Sequence, residues 1–183
     1  MKLLPRNAVV AEVGVAFGDF SDFTLKVLEP FKFVAIDTFE LHKFERVFDV
    51  SSAEKFEGLS HGGWFLKRFK EYVEKGVMEV QMGLSWDMLG KYPDNYFDII
   101  YLDADHSYDS VRKDLNVIKY KIKAGGTIIF NDYTVFDPYT ETPYGVPKAV
   151  NEFIVENNCE VIFFALQPTM FFDLAVKFNE RKQ

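Results

Sequence analysis

Cysteine is nearly missing from this 183-residue chain, which has only Cys159. A lone thiol closes no internal disulfide and excludes a cysteine-based zinc site, so a reducing, cytoplasmic setting is expected. Long apolar runs are missing as well. No stretch approaches the ~18 residues of a membrane span, and the first residues lack a signal peptide's apolar core, so no membrane partner is expected. Positive charge is in short supply: 21 Lys and Arg against 28 Asp and Glu leave a net charge of −7, without a basic cluster. A nucleic acid is therefore not the expected partner, because a phosphate backbone is held mainly by cations. Repeats and low-complexity linkers are also lacking, and the length fits one domain over residues 1–183.

Phenylalanine, by contrast, is abundant, with 20 residues. Such an excess reads first as core packing and second as an aromatic substrate cleft, and it leaves room for an apolar homodimer face. Apolar runs at 8–13, 32–36, 77–82, 97–102, 127–130, 160–166 and 171–177 read as buried strands. Helix-period stretches lie between them. Val111, Leu115, Ile118 and Ile122 share one face, Pro147 suits a first helical turn ahead of Val150, Phe153 and Ile154, and Phe65, Phe69 and Tyr72 mark a helix after a break at His61-Gly62-Gly63. This alternation predicts a parallel sheet covered by helices on both faces. Only Gln167-Pro168-Thr169-Met170 separates the last two strands, so they should form a hairpin with the final strand antiparallel.

In such sheets ligands bind beyond the carboxyl ends of the strands. The first strand runs into Glu12-Val13-Gly14-Val15-Ala16-Phe17-Gly18-Asp19-Phe20-Ser21. Its glycines allow a sharp turn, but Ala16 stands where a dinucleotide fingerprint wants a third glycine under the pyrophosphate. Asp37 ends the second strand, where a carboxylate can accept both ribose hydroxyls. A ribose site without a phosphate cradle suits S-adenosylmethionine better than NAD. Asp103, Asp105, Asn131 and Asp132 end the fourth and fifth strands, and such oxygen donors suit Mg²⁺ or another hard divalent cation. Alternatively, Asp105 or Ser107 caps the next helix and Asp132 merely starts a loop. His106 could be a general base or a partner of the aspartates. His42 and His61 are expected on a surface loop. Ser85 and Trp86 could meet an adenine edge and face, with core packing of the indole as the competing role.

The ordered set, from the glycine turn through Phe97-Asp98-Ile99-Ile100-Tyr101-Leu102-Asp103-Ala104-Asp105-His106-Ser107-Tyr108 to Gly125-Gly126-Thr127, Asn131-Asp132-Tyr133 and Gly145-Val146-Pro147-Lys148-Ala149-Val150, resembles class I S-adenosylmethionine-dependent methyltransferases. The similarity is to the branch with antibiotic-sugar O-methyltransferases and cephalosporin-hydroxylase-like proteins. It implies a Rossmann-like α/β fold, a seven-stranded mostly parallel sheet with an antiparallel last strand and helices on both faces. It also implies cofactor contacts at Glu12, Gly14, Phe17, Gly18, Ser21, Asp37, Ser85, Trp86 and Asp103. Metal candidates by the same resemblance are Asp103, Asn131 and Asp132, although sugar-methylating relatives usually carry two acids where this chain has Asn131-Asp132. The base falls at Asp105 or His106. The helix that usually precedes the first strand has no counterpart, so cover over the site is expected from residues 38–63 and 134–144, which carry Phe39, Phe44, Phe48, Phe136, Tyr139 and Tyr144. The function expected is methylation of a small hydroxylated acceptor such as a saccharide. A non-catalytic cofactor-binding module and an NAD-dependent oxidoreductase are the alternatives.

Overall fold

A computed structural model describes residues 4–47, 49–166 and 171–179. Seven strands form one sheet: β1 (Val9–Val13), β2 (Lys32–Asp37), β3 (Met78–Met82), β4 (Phe97–Leu102), β5 (Ile122–Phe130), β6 (Glu160–Ala165) and β7 (Asp173–Lys177). Their spatial order is β6-β7-β5-β4-β1-β2-β3. β1 to β5 run parallel, and β7 is inserted antiparallel between β5 and β6. The expected fold is therefore present. The turn expected at 167–170 lies outside the described residues.

Alternate side chains of the central strands feed two cores. On one face Val13, Ile36, Ile100 and Leu102 pack with Val111, Leu115 and Ile118 of α5 (Tyr108–Lys121) and with Val150 and Phe153 of α6 (Val146–Glu156). On the other, Val10, Phe33, Ala35 and Ile99 pack with Leu25 and Leu28 of α1 (Asp19–Leu28) and with Phe65 of α2 (His61–Arg68). A shorter helix, α3 (Lys70–Glu74), follows α2 after an interruption at Phe69, and α4 (Ser85–Gly90) follows β3. Phe33, Phe56, Phe65, Phe97, Phe130 and Phe153 are fully buried, so much of the phenylalanine is core.

Three expectations need correction. β6 is not a buried strand: Val161, Ile162 and Phe164 are about half exposed, because the strand pairs only with β7 and ends the sheet. An apolar run reads the same at an edge as at the centre. Gly62 and Gly63 do not break the chain but sit in the first turn of α2, whose N-cap Ser60 accepts from the Gly63 N–H at 3.1 Å. And β5 starts at Ile122 rather than 127, so the Gly125-Gly126 pair is inside a strand.

Candidate active site

The four central strand ends are stitched together beyond their ladders. Gly14 N–H donates to Ile36 O (2.8 Å), Asp103 N–H to Val13 O (2.7 Å) and Asn131 N–H to Leu102 O (3.0 Å). The turn after β1 takes left-handed backbone at Gly14 (φ 83°), Ala16 (φ 43°) and Gly18 (φ 77°). Each glycine answers to the protein itself. A Cβ on Gly14 would lie 1.7 Å from the Asp103 carbonyl oxygen, and one on Gly18 would meet the Phe69 and Phe65 rings at 2.6 and 2.7 Å. Ala16 has no such freedom, and its conformation costs about 1–2 kcal/mol. Hydrogen bonds hold it there. The Asp37 carboxylate accepts from Val15 N–H (2.9 Å) and Ala16 N–H (3.3 Å) on one oxygen and from Phe39 N–H (2.7 Å) on the other.

Glu12 and Ser21 are buried rather than exposed to a ligand, with Glu12 Oε2 lacking a hydrogen-bond partner among the described residues. Burial pushes the Glu12 carboxyl well above its usual range. The Ser21 hydroxyl opposes this, while Asp103 and Asp37 add to it. A buried acid therefore lies behind the turn. Phe17 packs edge-on against Phe56 (5.9 Å) and Trp64 (6.4 Å), which ties residues 52–64 to the same turn.

Ser85 and Trp86 open α4, and Lys113 Nζ lies 4.9 Å from the centre of the Trp86 ring. Behind them Asp114 of α5 is buried. Burial pushes its carboxyl up to about 6; the Ser85 hydroxyl pulls it down and the Asp105 charge adds to the rise. The folded protein thus keeps this proton to higher pH than the unfolded chain does, at about 3.9. Its contribution to stability is full below the unfolded value and is lost as pH rises through about 6. D114N should remove that loss. Urea titrations are expected to show the variant about 3 kcal/mol more stable than the parent at pH 8 and equal near pH 4. A gap that does not change with pH would contradict this.

At the ends of β4 and β5 the structure brings together Asp103, His106 and Asp132, with donor atoms within 4.8 Å of one another. His106 Nε2 is 3.2 Å from Asp132 Oδ2 and 3.6 Å from Asp103 Oδ1. Beside them, Asn131 Oδ1 accepts from the Asp132 N–H at 2.7 Å, and Asp132 takes a left-handed conformation (φ 53°). Burial raises the Asp132 carboxyl to about 6 and Asp103 adds to the rise, while His106 opposes it. Burial disfavours a charged His106, but the nearby carboxylates of Asp103, Asp132 and Asp105 win and raise it. Asp105 has a different task. Its Oδ1 accepts from the Ser107 N–H (2.7 Å), and Ser107 caps α5 by accepting from the Ser110 N–H. Although burial acts upward, the Ser107 contacts and His106 hold the Asp105 carboxyl low. That makes Asp105 a poor base.

Above His106 lies Tyr144, its ring stacked at 4.3 Å and 10°. Gly145 makes that possible, since a Cβ there would meet Tyr108 N at 2.2 Å. Both long connections carry short elements: Leu41–Lys43, an Arg46–Val47 and Val50–Ser51 ladder and Ser52–Lys55 in the first, and a Phe136–Asp137 and Thr142–Pro143 ladder in the second. Phe48 lies outside the described residues. His61 is wholly buried at the start of α2, not on a surface loop. No local signal marks it, because its position depends on how α2 docks.

A family model described as a methyltransferase domain matches residues 11–133, which spans the turn, Asp37, α4 and the Asp103–His106–Asp132 cluster. The chain belongs to the methyltransferase-domain family. Among solved structures, this family member is similar to a SAM-dependent methyltransferase from Aquifex aeolicus, at 16% identity and TM-score 0.64 over 96% of this chain and 84% of that one. It is also similar to the N-methyltransferase NodS from Bradyrhizobium japonicum WM9, at 13% identity and TM-score 0.61 over 96% and 88%. The [4+2]-cyclase SpnF shares the fold too, at 10% identity and TM-score 0.65 over 97% and 76%. These likenesses show the fold alone. In sequence, an uncharacterized protein of Acanthamoeba polyphaga mimivirus is 36% identical over 62 residues, 34% of this chain and 26% of that protein. Among the described residues no helix is long and apolar enough to cross a membrane.

Proposed function

We propose that this family member is an S-adenosylmethionine-dependent O-methyltransferase for a small hydroxylated acceptor such as a saccharide. The observation that carries the reading is one strand-end row holding a backbone-clasped turn with Asp37 at one end and the Asp103–His106–Asp132 cluster at the other. The bound cofactor supplies an electrophilic methyl group on a sulfonium. The chain's own part is alignment and proton transfer. Asp37 accepts ribose hydroxyls, Ser85 and Trp86 bound the adenine, and the buried Glu12 supports the turn from behind. His106 takes the acceptor's proton, with Asp132 and Asp103 stabilising the imidazolium that results. Tyr144 covers that imidazole and excludes water from it.

Two carboxylates and an imidazole this close also fit a divalent cation. Asp103 and Asp132 would hold it, and its charge would lower the acceptor hydroxyl's pKa. With two carboxylates and a neutral Asn131 where relatives carry an acid, binding should be weak and exchangeable. Calorimetry should show S-adenosylhomocysteine binding to the parent protein and to D132A alike. Mn²⁺ binding, followed by its electron paramagnetic resonance signal, should disappear in D132A. Failure of the parent to bind S-adenosylhomocysteine would overturn the cofactor assignment, and equal Mn²⁺ binding by both proteins would overturn the metal assignment.

A further inference from the structure

Ala16 is held at both of its backbone polar groups. Its N–H goes to Asp37, at 3.3 Å the longer of the two bonds on that oxygen, and its carbonyl lies 2.6 Å from His61 Nε2. A carbonyl only accepts, so Nε2 carries the proton and the buried Nδ1 is left as a bare acceptor without a hydrogen-bond partner among the described residues. A buried nitrogen of that kind does not favour folding by itself. The ring lies 5.0 Å from both Phe39 and Phe56. Beside it Gly62 faces the flexible end of Met82, 2.7 Å from where a Cβ would lie.

We infer that His61 is a positioning residue for cofactor binding: from α2 it fixes the left-handed turn at Ala16 without touching the cofactor. The inference rests on the cofactor reading above. Ribose hydroxyls on Asp37 would compete with the Val15 and Ala16 N–H groups for the same carboxylate. The bond from His61 is the one that such competition leaves intact. It stands in for the conformational freedom that a glycine at position 16 would have given.

The test compares the parent protein with H61F, which keeps the ring and removes the donor, and H61Q, which restores a donor. H61M gives the same donorless comparison should the phenyl ring not be accommodated. Hydrogen exchange without any ligand reports on the Gly18 amide, which bonds Val15 O at 2.6 Å. The donorless variants should exchange on the order of 10-fold faster there and bind S-adenosylhomocysteine on the order of 10-fold more weakly, with the melting temperature unchanged or higher. H61Q should return both quantities to within about 3-fold of the parent. Parent-like exchange in the donorless variants would overturn the inference. So would affinity that falls only in step with melting temperature, or that H61Q fails to recover. A parent protein that binds no S-adenosylhomocysteine would sink the cofactor reading instead, and the ligand-free exchange would then decide the role of His61 in the turn alone.

Discussion

G14A should leave little or no folded protein. The added methyl group would lie 1.7 Å from the Asp103 carbonyl oxygen and 3.0 Å from Ala104 Cα, all backbone, at a φ of 83° that alanine already resists. Relief requires β1 and β4 to part at the row of bonds that stitches their ends, where Asp103 N–H donates to Val13 O. Costs of this kind exceed about 4 kcal/mol, against total stabilities of about 5–15 kcal/mol for a domain. The check is soluble yield and cooperative thermal unfolding. A variant that melts within a few degrees of the parent would show that the turn yields far more easily than its contacts imply. G18A should be milder, because there the obstacles are the edges of two phenyl rings, which can move.

D37A should come second in size and should act before any ligand is added. The carboxylate accepts three backbone N–H groups, from Val15, Ala16 and Phe39, and alanine leaves all three to find other partners. Charge-assisted bonds of this kind are worth about 1.5–3 kcal/mol each, and partial access to water returns part of that, so a loss of about 3 kcal/mol or more is expected. Urea denaturation measures it directly. D37N keeps an acceptor oxygen for one side but turns an NH₂ group toward donors on the other, so its loss should be intermediate. A D37A protein as stable as the parent but unable to bind S-adenosylhomocysteine would mean that Asp37 serves the ribose alone.

The sheet was legible because its strands are β-branched and aromatic runs broken by helix-period stretches, and those two periodicities do not mimic each other. The strand-end acids were legible as positions. Their partners were not. Asp37 reads as a ribose acceptor, yet its carboxylate is also what holds Ala16, which becomes visible only when β2 lies beside the turn. Gly18 reads as room for a ligand, but the room is taken by Phe65 and Phe69, about 50 residues on. His106 reads as a base or as a partner of the aspartates, and only the meeting of the β4 and β5 ends shows it 3.2 Å from Asp132. His61 reads as a surface-loop residue, yet it is wholly buried. Its burial comes from the docking of α2 on the turn, where its Nε2 lies 2.6 Å from the Ala16 carbonyl.

The connection that carries Tyr144 closes on itself. Tyr144 N–H donates to Val135 O, Gly145 N–H donates to His106 O, and Asp137 gathers the Tyr139 N–H and the Thr140 hydroxyl inside the small hairpin. Its footing on the body of the protein is at its two ends, with one further contact where Tyr139 stacks on Phe171 at 5.9 Å. A change of length at the tip that keeps Asp137, which also accepts from the Tyr144 hydroxyl, is expected to leave the imidazole beneath in place. That makes residues 138–141 the natural place to graft a new acceptor preference, and the place where relatives with different acceptors should differ in length.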